Sequence, residues 1–336
     1  MSHSTADRLI SVGIRPYIQD GNSGDEMSRK RSLTRRSFLG ALAAAGAGAV
    51  LRPTDGASQT GALITRAIPS SKEALPVVGL GSWITFNVGD DEVARASCAE
   101  VMRAFFASGG RMIDSSPMYG SAQAVIGSGL AKLGHPSGLF AADKVWISSG
   151  DEGPAQIEAS RELWGIPSFD LLQVHNLLAW EDHLATLLAM KAEGKLRYVG
   201  ITTSHERRHA EIEAILKSQP IDFVQATYNV LDREIETRIL PLAADKGVAV
   251  IVNRPFRQGE LIDAVQRYPL PDFAAEFDAA NWAQVLLKFI VAHPAVTCAI
   301  PATSKVDHLN ENMGAALGAL PDEAMRKRIV AYIEQL

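Results

Sequence analysis

Four side chains with acid–base chemistry stand at or just after the ends of predicted strands: Asp114, Tyr119, Lys144 and His175. Tyrosine is a poor acid near neutral pH because its ordinary pKa is about 10. A nearby ammonium favours the phenolate and lowers that pKa, and an adjacent carboxylate keeps the ammonium charged and oriented. A histidine at the same point can orient a carbonyl oxygen or relay a proton. Brought together, these groups would protonate an oxygen that becomes an alcohol, provided that a hydride donor completes the reaction.

Each of the four residues has an ordinary structural interpretation when it is taken singly. Asp114 would cap a helix, and Lys144 would be a surface charge at a strand end. His175 would be a buried imidazole with its hydrogen bonds made, and Tyr119 would be a pocket or surface aromatic residue. The acid–base interpretation is favoured because all four occur together at strand ends.

The elements that must position these residues alternate between strand and helix. From about Leu75, a short apolar run is repeatedly followed by a longer amphipathic stretch, which is typical of a parallel sheet. Eight such units over roughly 260 residues predict a single-domain α/β fold, the (β/α)8 TIM barrel. The predicted strands are 77–80, 112–113, 140–147, 169–174, 198–201, 222–225, 248–252 and 296–300. The predicted helices are 91–108, 121–132, 154–164, 181–193, 205–218, 235–246, 281–292, 307–317 and 321–334.

An open, doubly wound sheet is the rival architecture. Such sheets usually carry a G-x-G-x-x-G turn after the first strand. Residues 79–83, Gly-Leu-Gly-Ser-Trp, lack the third glycine and lead into no predicted helix, so the barrel is favoured. Barrel enzymes carry their chemistry at the carboxyl ends of the strands, and the barrel would therefore gather the four residues at one mouth.

Five segments, in order along the chain, resemble the aldo-keto reductase family. Residues 110–120 (GRMIDSSPMYG) resemble its strand-two signature, which supplies Asp114 and Tyr119. Lys144 and His175 match the lysine of the third strand and the histidine of the fourth. Residues 194–200 and 301–312 resemble the approach to the fifth strand and the adenosine-binding end. The resemblance covers about residues 74–318.

The resemblance implies reduction of an aldehyde or ketone by hydride transfer from NAD(P)H, or the reverse alcohol oxidation. Tyr119 would be the general acid, Lys144 and Asp114 would tune it, and His175 would orient the carbonyl. NADP(H) is the favoured cofactor, with NAD(H) as the alternative, and no metal is expected. The helix after the eighth strand would offer its N-terminus to a nucleotide phosphate.

Further residues are expected around this centre. Trp83, Phe86 and Asn176 are expected to line the substrate pocket, and the alternative for Trp83 and Phe86 is that they plug the barrel mouth. The residues expected to bind the cofactor follow strands five to eight: Thr202, Thr203, Gln225, Asn253, Arg254, Pro255, Phe256, Ala302, Thr303, Ser304, Lys305, His308, Glu311 and Asn312.

Two other function classes remain open at the sequence level. Thr202-Thr203 replaces the usual Ser-Asn pair of the family, and no aromatic residue stands at Asn253, where one commonly stacks on the nicotinamide. These departures leave room for a nucleotide-binding barrel with a regulatory or structural role and little turnover. The third class is a metal-assisted hydrolase built on Asp114, Lys144 and His175, but no His-x-His pair supports it.

The N-terminus has a different character from the rest of the chain. Residues 1–56 hold 8 Lys+Arg and 5 Asp+Glu, whereas the chain as a whole has 33 and 38. Residues 34–39, Thr-Arg-Arg-Ser-Phe-Leu, precede an uncharged run from Ser37 to Leu51 and resemble a twin-arginine export signal. We therefore expect a disordered n-region plus a twin-arginine signal sequence over 1–57 and a (β/α)8 barrel over 58–336. The twin-arginine translocation machinery is the expected partner, and the bacterial periplasm is the expected location of the exported protein. No stable membrane span is expected if the leader is cleaved.

Composition excludes several classes of protein. The chain has 336 residues, 47% hydrophobic and 21% charged, which is an ordinary globular balance. Its net charge of −5 argues against a nucleic-acid-binding surface. Cys98 and Cys298 are predicted to be buried free thiols, with a disulfide between them as the alternative.

Overall fold

The computed structural model of the protein describes residues 62–204 and 207–336. The predicted leader over 1–57 and its boundary with the barrel lie outside the described residues. Residues 205 and 206, with which the fifth predicted helix begins, also lie outside them. Within the described part of the chain, no helix is long and apolar enough to cross a membrane.

Eight parallel strands form the barrel predicted from the sequence, which is confirmed. An antiparallel pair, β1 (Thr65–Ala67) and β2 (Ala74–Pro76), precedes them. Each barrel strand pairs with the next one along the chain. Bridges from Val78 to Ala299 and from Gly81 to Ala302 join the first barrel strand to the last. The barrel strands are β3 (Leu80–Gly81), β4 (Met112–Asp114), β5 (Phe140–Val145), β6 (Leu171–His175), β7 (Tyr198–Thr202), β8 (Phe223–Thr227), β9 (Ala249–Asn253) and β10 (Cys298–Ala299).

Helices surround the barrel and follow the strands in the predicted order. Side-chain caps mark several of their starts, as where the Asp91 carboxylate accepts the N–H groups of Val93 and Ala94 at 2.9 and 3.0 Å. The helices are α1 (Glu92–Ala107), α2 (Ala122–Lys132), α3 (Gly153–Trp164), α4 (Trp180–Ala192), α5 (His209–Ser218), α6 (Ile239–Lys246), α7 (Glu260–Val265), α8 (Trp282–Val291), α9 (Val306–Gly314) and α10 (Glu323–Ile333).

The interior of the barrel changes character from one end of the strands to the other. Because side chains alternate across a strand, every second residue faces inward. Near the strand starts these residues are apolar and form one buried cluster with Ile68 and Leu75 of the preceding hairpin. Two or four residues further along, polar side chains replace them. The apolar set includes Met112, Phe140, Leu171 and Phe223, and the polar set that follows on the same strands is Asp114, Lys144, Gln173 and Gln225.

The helical layer covers the outward faces of the strands with apolar contacts. Val145, Val174 and Ile201 belong to the large cluster between sheet and helices. Asp143 is an exception, since it is fully buried at an outward-facing position of β5. Cys98 and Cys298 are buried free thiols, as predicted.

Most element boundaries lie within a few residues of the predictions, and two differences have clear local causes. The third predicted strand reached residue 147, but β5 ends at Val145. Beyond it, the Gln156 side chain binds both the N–H and the carbonyl of Trp146, at 2.6 and 2.9 Å, and so takes the place of a strand partner. The helix predicted over 307–317 ends at Gly314, where hydrogen bonds from Ala315 and Ala316 to the third residue back close a tighter last turn. The hairpin β1–β2 and the short α7 were not predicted.

Candidate active site

The carboxyl ends of the strands open into a cavity of about 430 Å³. Asp114, Tyr119 and His175 line it, and Lys144 lies fully buried beneath them. The same cavity reaches the first turns of α9 through His308 and Glu311. The structure therefore brings together the four acid–base residues and connects them with a helix N-terminus through one space.

A single 3-10 turn, Pro117–Tyr119, places the tyrosine over the barrel mouth. Its proline stands at the first turn position, where a missing N–H costs nothing. The Ser116 hydroxyl accepts the N–H of Met118 at 3.2 Å and caps the turn. Gly120 follows with a φ of 61° and packs so closely against the Asn87 side chain that a Cβ would collide with it. Tyr119 is held by these local contacts at the edge of the cavity, half-buried.

Lys144 and Asp114 form a buried ion pair beneath the tyrosine. The ammonium lies 2.6 Å from Asp114 Oδ2 and donates a second hydrogen bond of 2.6 Å to the carbonyl of Ser115. The other carboxylate oxygen accepts from Gln225 Nε2 at 2.9 Å and from Gln173 Nε2 at 3.3 Å. Burial disfavours the ammonium, but the hydrogen-bonded Asp114 carboxylate opposes it, and the pKa of Lys144 is held above its ordinary value.

The protonation of Tyr119 differs from the expectation that Lys144 lowers its pKa below the ordinary value. The ammonium lies 5.1 Å from the ring centroid and does act in that direction. Burial has the larger effect and raises the pKa of Tyr119, with a smaller contribution of the same sign from Asp114. Tyr119 is therefore protonated at neutral pH, which is the form that donates a proton.

His175 contacts both the tyrosine and the turn that carries it. Its ring meets the Tyr119 ring edge to face, with the centroids 5.7 Å apart. Its Nδ1 lies 2.7 Å from the Ser116 hydroxyl. Burial and then the charge of Lys144 lower the pKa of His175 to about 2. The imidazole is therefore neutral in the physiological range, so it orients and does not supply a charge.

A hydrogen-bonded chain extends from Asp114 towards strands β7 and β9. Gln225 donates to Asp114 through Nε2 and accepts at Oε1 from Thr202 Oγ1 at 3.1 Å. Asn253 Nδ2 donates to the carbonyl of Thr203 at 2.8 Å, and its Oδ1 accepts from Thr227 Oγ1 at 2.8 Å. These contacts fix the amide orientations of Gln225 and Asn253. Gln225, which we expected to bind the cofactor, thereby also holds the Asp114 carboxylate.

The predicted cofactor residues divide into those that line the cavity and those that do not. Thr203 is not part of the lining, and its buried Oγ1 has no hydrogen-bond partner among the residues that the structure describes. Ser304 and Lys305 are exposed beyond the lining, where Ser304 accepts from Ser97 and the Lys305 N–H is bound to Thr303. The residues that do line the cavity are Thr202, Gln225, Asn253, Arg254, Pro255, Phe256, Ala302, Thr303, His308, Glu311 and Asn312.

Of the three residues expected to line the substrate pocket, the structure places one in the cavity wall. Trp83 lines the cavity, together with its neighbour Ile84. Phe86 does not, because its side chain is fully buried in the core below the loop. Asn176 also lies outside the lining, in a loop where its φ is 53°. The Asn176 carbonyl accepts a hydrogen bond from the Arg208 guanidinium, which precedes α5.

Sequence reasoning missed two residues that touch His175. Ser116 binds Nδ1, and the Trp146 ring lies 6.5 Å from the imidazole ring. A signal was present for both. Ser116 lies inside the segment that carries Asp114 and Tyr119, and Trp146 lies two residues after Lys144, at the spacing that places side chains on one face of a strand.

The cavity fits a nicotinamide dinucleotide. No side chain of the described residues caps the start of helix α9, so its first N–H groups remain available to a phosphate. The orphaned Thr203 hydroxyl is a free hydrogen-bonding group beside the cavity. An added Cβ at Gly81 would lie 2.7 Å from the carbonyl oxygen of Ile300, so the backbone approaches closely at this point of the wall. Over the described ranges, no group of three His, Cys, Asp or Glu side chains is arranged to hold a metal ion.

Comparisons with known proteins agree with this geometry. A methylglyoxal reductase of Escherichia coli (strain K12) is 27% identical over 248 residues, which are 72% of this chain and 86% of the relative. An NADH-specific methylglyoxal reductase of the same strain is 24% identical, over 76% of this chain and 89% of its own. A crystal structure of an aldo/keto reductase from Klebsiella pneumoniae, in complex with NADP and acetate, superposes with a TM-score of 0.65 at 23% identity. That match covers 78% of this chain and 93% of the other.

The sequence model of the Aldo/keto reductase family matches residues 77–331, which is most of the chain. That range contains all eight barrel strands and the four acid–base residues at their ends. This protein is an NAD(P)-dependent oxidoreductase that belongs to the aldo/keto reductase family.

Proposed function

We propose that this chain reduces an aldehyde or a small ketone, with Tyr119 as the general acid. The observation that carries the proposal is the position of Tyr119, which lines the cavity with the ammonium of the buried Lys144–Asp114 pair 5.1 Å from its ring centroid. Reduction turns the carbonyl oxygen into an alkoxide, which needs a proton as the negative charge develops. The Lys144 ammonium stabilises the phenolate that remains on Tyr119 after the proton has left.

His175 supplies the second contact to the substrate oxygen. Its imidazole is neutral and lines the same cavity as Tyr119. Trp83, Ile84 and Met118 give the cavity an apolar wall, which suits a small organic carbonyl. Because two relatives carry the name methylglyoxal reductase, methylglyoxal is the first substrate to test.

The preferred cofactor in this proposal is NADPH, with NADH as the alternative. When bound, the reduced nicotinamide supplies the hydride that the carbonyl carbon needs. Arg254, Thr303 and the N-terminus of α9 would hold the phosphates and ribose, and Asn253 with Gln225 would meet the nicotinamide end. Fluorescence titration with each nucleotide decides between the two cofactors.

Tyr119→Phe is the direct test of the general acid. We expect kcat for methylglyoxal to fall by a factor of about 10³, because proton transfer to the oxygen is lost while the ring remains. The affinity for NADPH should change by less than about twofold, since the phenol lies at the substrate end. Tyr268→Phe is the matched control, because its hydroxyl binds the carbonyl of Leu336, away from the cavity.

The outcomes separate the proposal from its alternative. Turnover that survives Tyr119→Phe would remove the tyrosine from the mechanism. Tight NADPH binding with no turnover on a panel of aldehydes and ketones would instead favour the nucleotide-binding barrel with a regulatory or structural role. The assembled acid–base residues do not favour that alternative.

We further propose that residues 1–57 act as a twin-arginine export signal and direct the folded, cofactor-loaded enzyme to the periplasm. The support is the sequence around Arg35 and Arg36 and the uncharged run after it. Residues 1–57 fused to a folded reporter should carry it into the periplasm of a bacterium that has the pathway. The double variant Arg35→Lys, Arg36→Lys should leave the reporter in the cytoplasm. Equal export of both fusions, or of neither, would contradict the proposal.

A further inference from the structure

The Ser116 hydroxyl joins the turn that carries Tyr119 to the strand that carries His175. Its oxygen lies 2.7 Å from His175 Nδ1 and accepts the N–H of Met118 at 3.2 Å. Both side chains are buried: Ser116 has no exposed surface, and His175 is 5% exposed. The proposed mechanism uses His175 but gives Ser116 no part in the reaction.

The hydrogen bond between Ser116 and His175 can run in either direction, depending on which ring nitrogen carries the proton. The surrounding groups decide between the two directions. In one form Nδ1–H donates to the serine oxygen. The serine proton would then have no acceptor among the described residues, at a side chain with no access to water, and such an orphaned donor is costly. In the other form the serine donates its proton to Nδ1 and accepts from Met118, which satisfies every group. The neutral imidazole then carries its proton on Nε2.

This tautomer has a direct consequence for the site. Nε2 makes no hydrogen bond to a described residue, and His175 lines the cavity, so Nε2–H is the group that remains for a ligand. Tyr119 presents a second donor from the adjacent wall, with its ring edge to face against the imidazole. Two donors at one point bind a carbonyl oxygen. The opposite tautomer would direct the Nε2 lone pair at that oxygen and repel it.

We infer that Ser116 is a positioning residue that fixes His175 in the Nε2–H tautomer and so makes it a donor to the substrate oxygen. The inference rests on the proposed carbonyl reduction for its catalytic meaning. The tautomer itself is measured without turnover, so the two ideas fail separately.

Kinetics of Ser116→Ala in the full-length enzyme give the first readout. We expect kcat/KM for methylglyoxal to fall about tenfold, mainly through kcat, because the lost contact orients a group that acts in the transition state. NADPH affinity should stay within about twofold. Ser116→Thr keeps the hydroxyl and should recover most of the activity. Ser160→Ala removes another buried serine, which accepts from Gln123, and should leave kcat unchanged.

A double-mutant cycle separates the action on His175 from the capping of the Tyr119 turn. If Ser116 acts through His175, Ser116→Ala should have little effect in a His175→Asn background. If the serine matters only as a cap, the full loss should persist when His175 is absent, and the inference is then wrong.

The tautomer is read from two-bond ¹⁵N–¹H spectra of histidine-labelled enzyme, with the His175 signals assigned by their disappearance in His175→Asn. The wild type should show a protonated Nε2 and an unprotonated Nδ1. In Ser116→Ala the two nitrogen shifts should move towards each other as the second tautomer becomes populated. A protonated Nδ1 in the wild type, or an unchanged spectrum in Ser116→Ala, would overturn the inference. An Nε2–H signal in an enzyme that reduces no carbonyl would leave the tautomer assignment standing and refute the proposed function.

Discussion

Lys144 at the mouth of the barrel and Lys288 in the outer helical layer are both completely buried, but they are held in opposite ways. Lys144 binds the Asp114 carboxylate and the carbonyl of Ser115. Among the described residues, Lys288 binds three backbone carbonyls and no side chain. These are the carbonyls of Phe277, Leu317 and Ala319, at 2.8, 2.7 and 2.9 Å. Burial alone therefore does not mark a catalytic lysine.

The surroundings give the two ammonium groups opposite pKa shifts. The pKa of Lys144 is raised, because the Asp114 carboxylate opposes the effect of burial. The pKa of Lys288 is lowered, because burial outweighs the attraction of Asp278. Lys144 also lies against Tyr119, which lines the cavity. Lys288 instead joins the segment that ends at Phe277 to the segment 317–319 by hydrogen bonds to their carbonyls. The comparison indicates that the catalytic lysine is the one with a carboxylate partner and a titratable neighbour facing substrate.

The same substitution at each lysine is the strongest test of whether Lys144 is catalytic and Lys288 is not. Methionine keeps the length of the side chain and removes its charge and donors. We expect Lys144→Met to lower kcat by a factor of about 10² to 10⁴, because Tyr119 loses the cation that stabilises its phenolate. Lys288→Met should leave kcat per folded molecule unchanged. Stopped-flow or steady-state turnover of NADPH, normalised to the fraction folded, measures both.

Two results would contradict this prediction. A catalytic loss of equal size in both variants would mean that each lysine acts through general stability. Full activity in Lys144→Met would show that Tyr119 donates its proton without the ammonium. Circular dichroism on both variants is the necessary control, because Lys144→Met also leaves the buried Asp114 carboxylate without its cation.

Stability is the measurement in which Lys288 should have a clear effect. Lys288→Met removes the donor of three carbonyls outside α8, those of Phe277, Leu317 and Ala319. The Phe277 carbonyl is buried, and the other two are partly buried. We expect the free energy of unfolding to fall by about 2 kcal/mol, because three hydrogen bonds from a charged donor are lost and the buried Phe277 carbonyl is left without this partner. Urea denaturation of the holoenzyme measures the change, and Lys246→Met, at the end of α6, is a lysine control outside the buried layers. An unchanged midpoint in Lys288→Met would mean that water replaces the ammonium.

The two lysines also differ in how far the sequence could predict them. Lys144 follows from the motif at the end of a strand, since strand alternation and the family segments both point to it. Lys288 gave no such signal: the apolar pattern predicted a helix over 281–292, and α8 forms there. Its partners lie in segments that meet only in the folded chain, so the carbonyl cage depends on tertiary packing that a local pattern does not contain.

The same limit explains the differences at the cavity. Trp83 and Phe86 are three residues apart in one loop, and only the folded loop shows that one faces the cavity while the other enters the core. The predicted net lowering of the pKa of Tyr119 was wrong for a similar reason. The sign depends on how deeply the phenol is buried, and residue types alone do not give that depth.

Asp143 is a second buried carboxyl group beside Lys144, and Lys288 has no such neighbour in its own strand or helix. Asp143 points outward from β5 and is fully buried between α2 and α3. Its oxygens accept from Gln123 Nε2 at 2.8 Å, Trp164 Nε1 at 2.7 Å and the Lys144 N–H at 2.7 Å. Burial nevertheless raises the pKa of Asp143 to about 7, against the opposing effects of Lys144 and these donors.

This shift predicts how stability changes with pH. A carboxyl whose pKa is raised on folding binds more protons in the folded state than in the unfolded state, so stability falls as pH rises between about 4 and about 7. We expect the free energy of unfolding of the wild type, relative to Asp143→Asn, to fall by about 2.5 kcal/mol between pH 5 and pH 7. Urea denaturation of both proteins across that range gives the difference. Parallel curves would contradict the prediction, because they would mean that the three donors keep Asp143 ionised across the whole range.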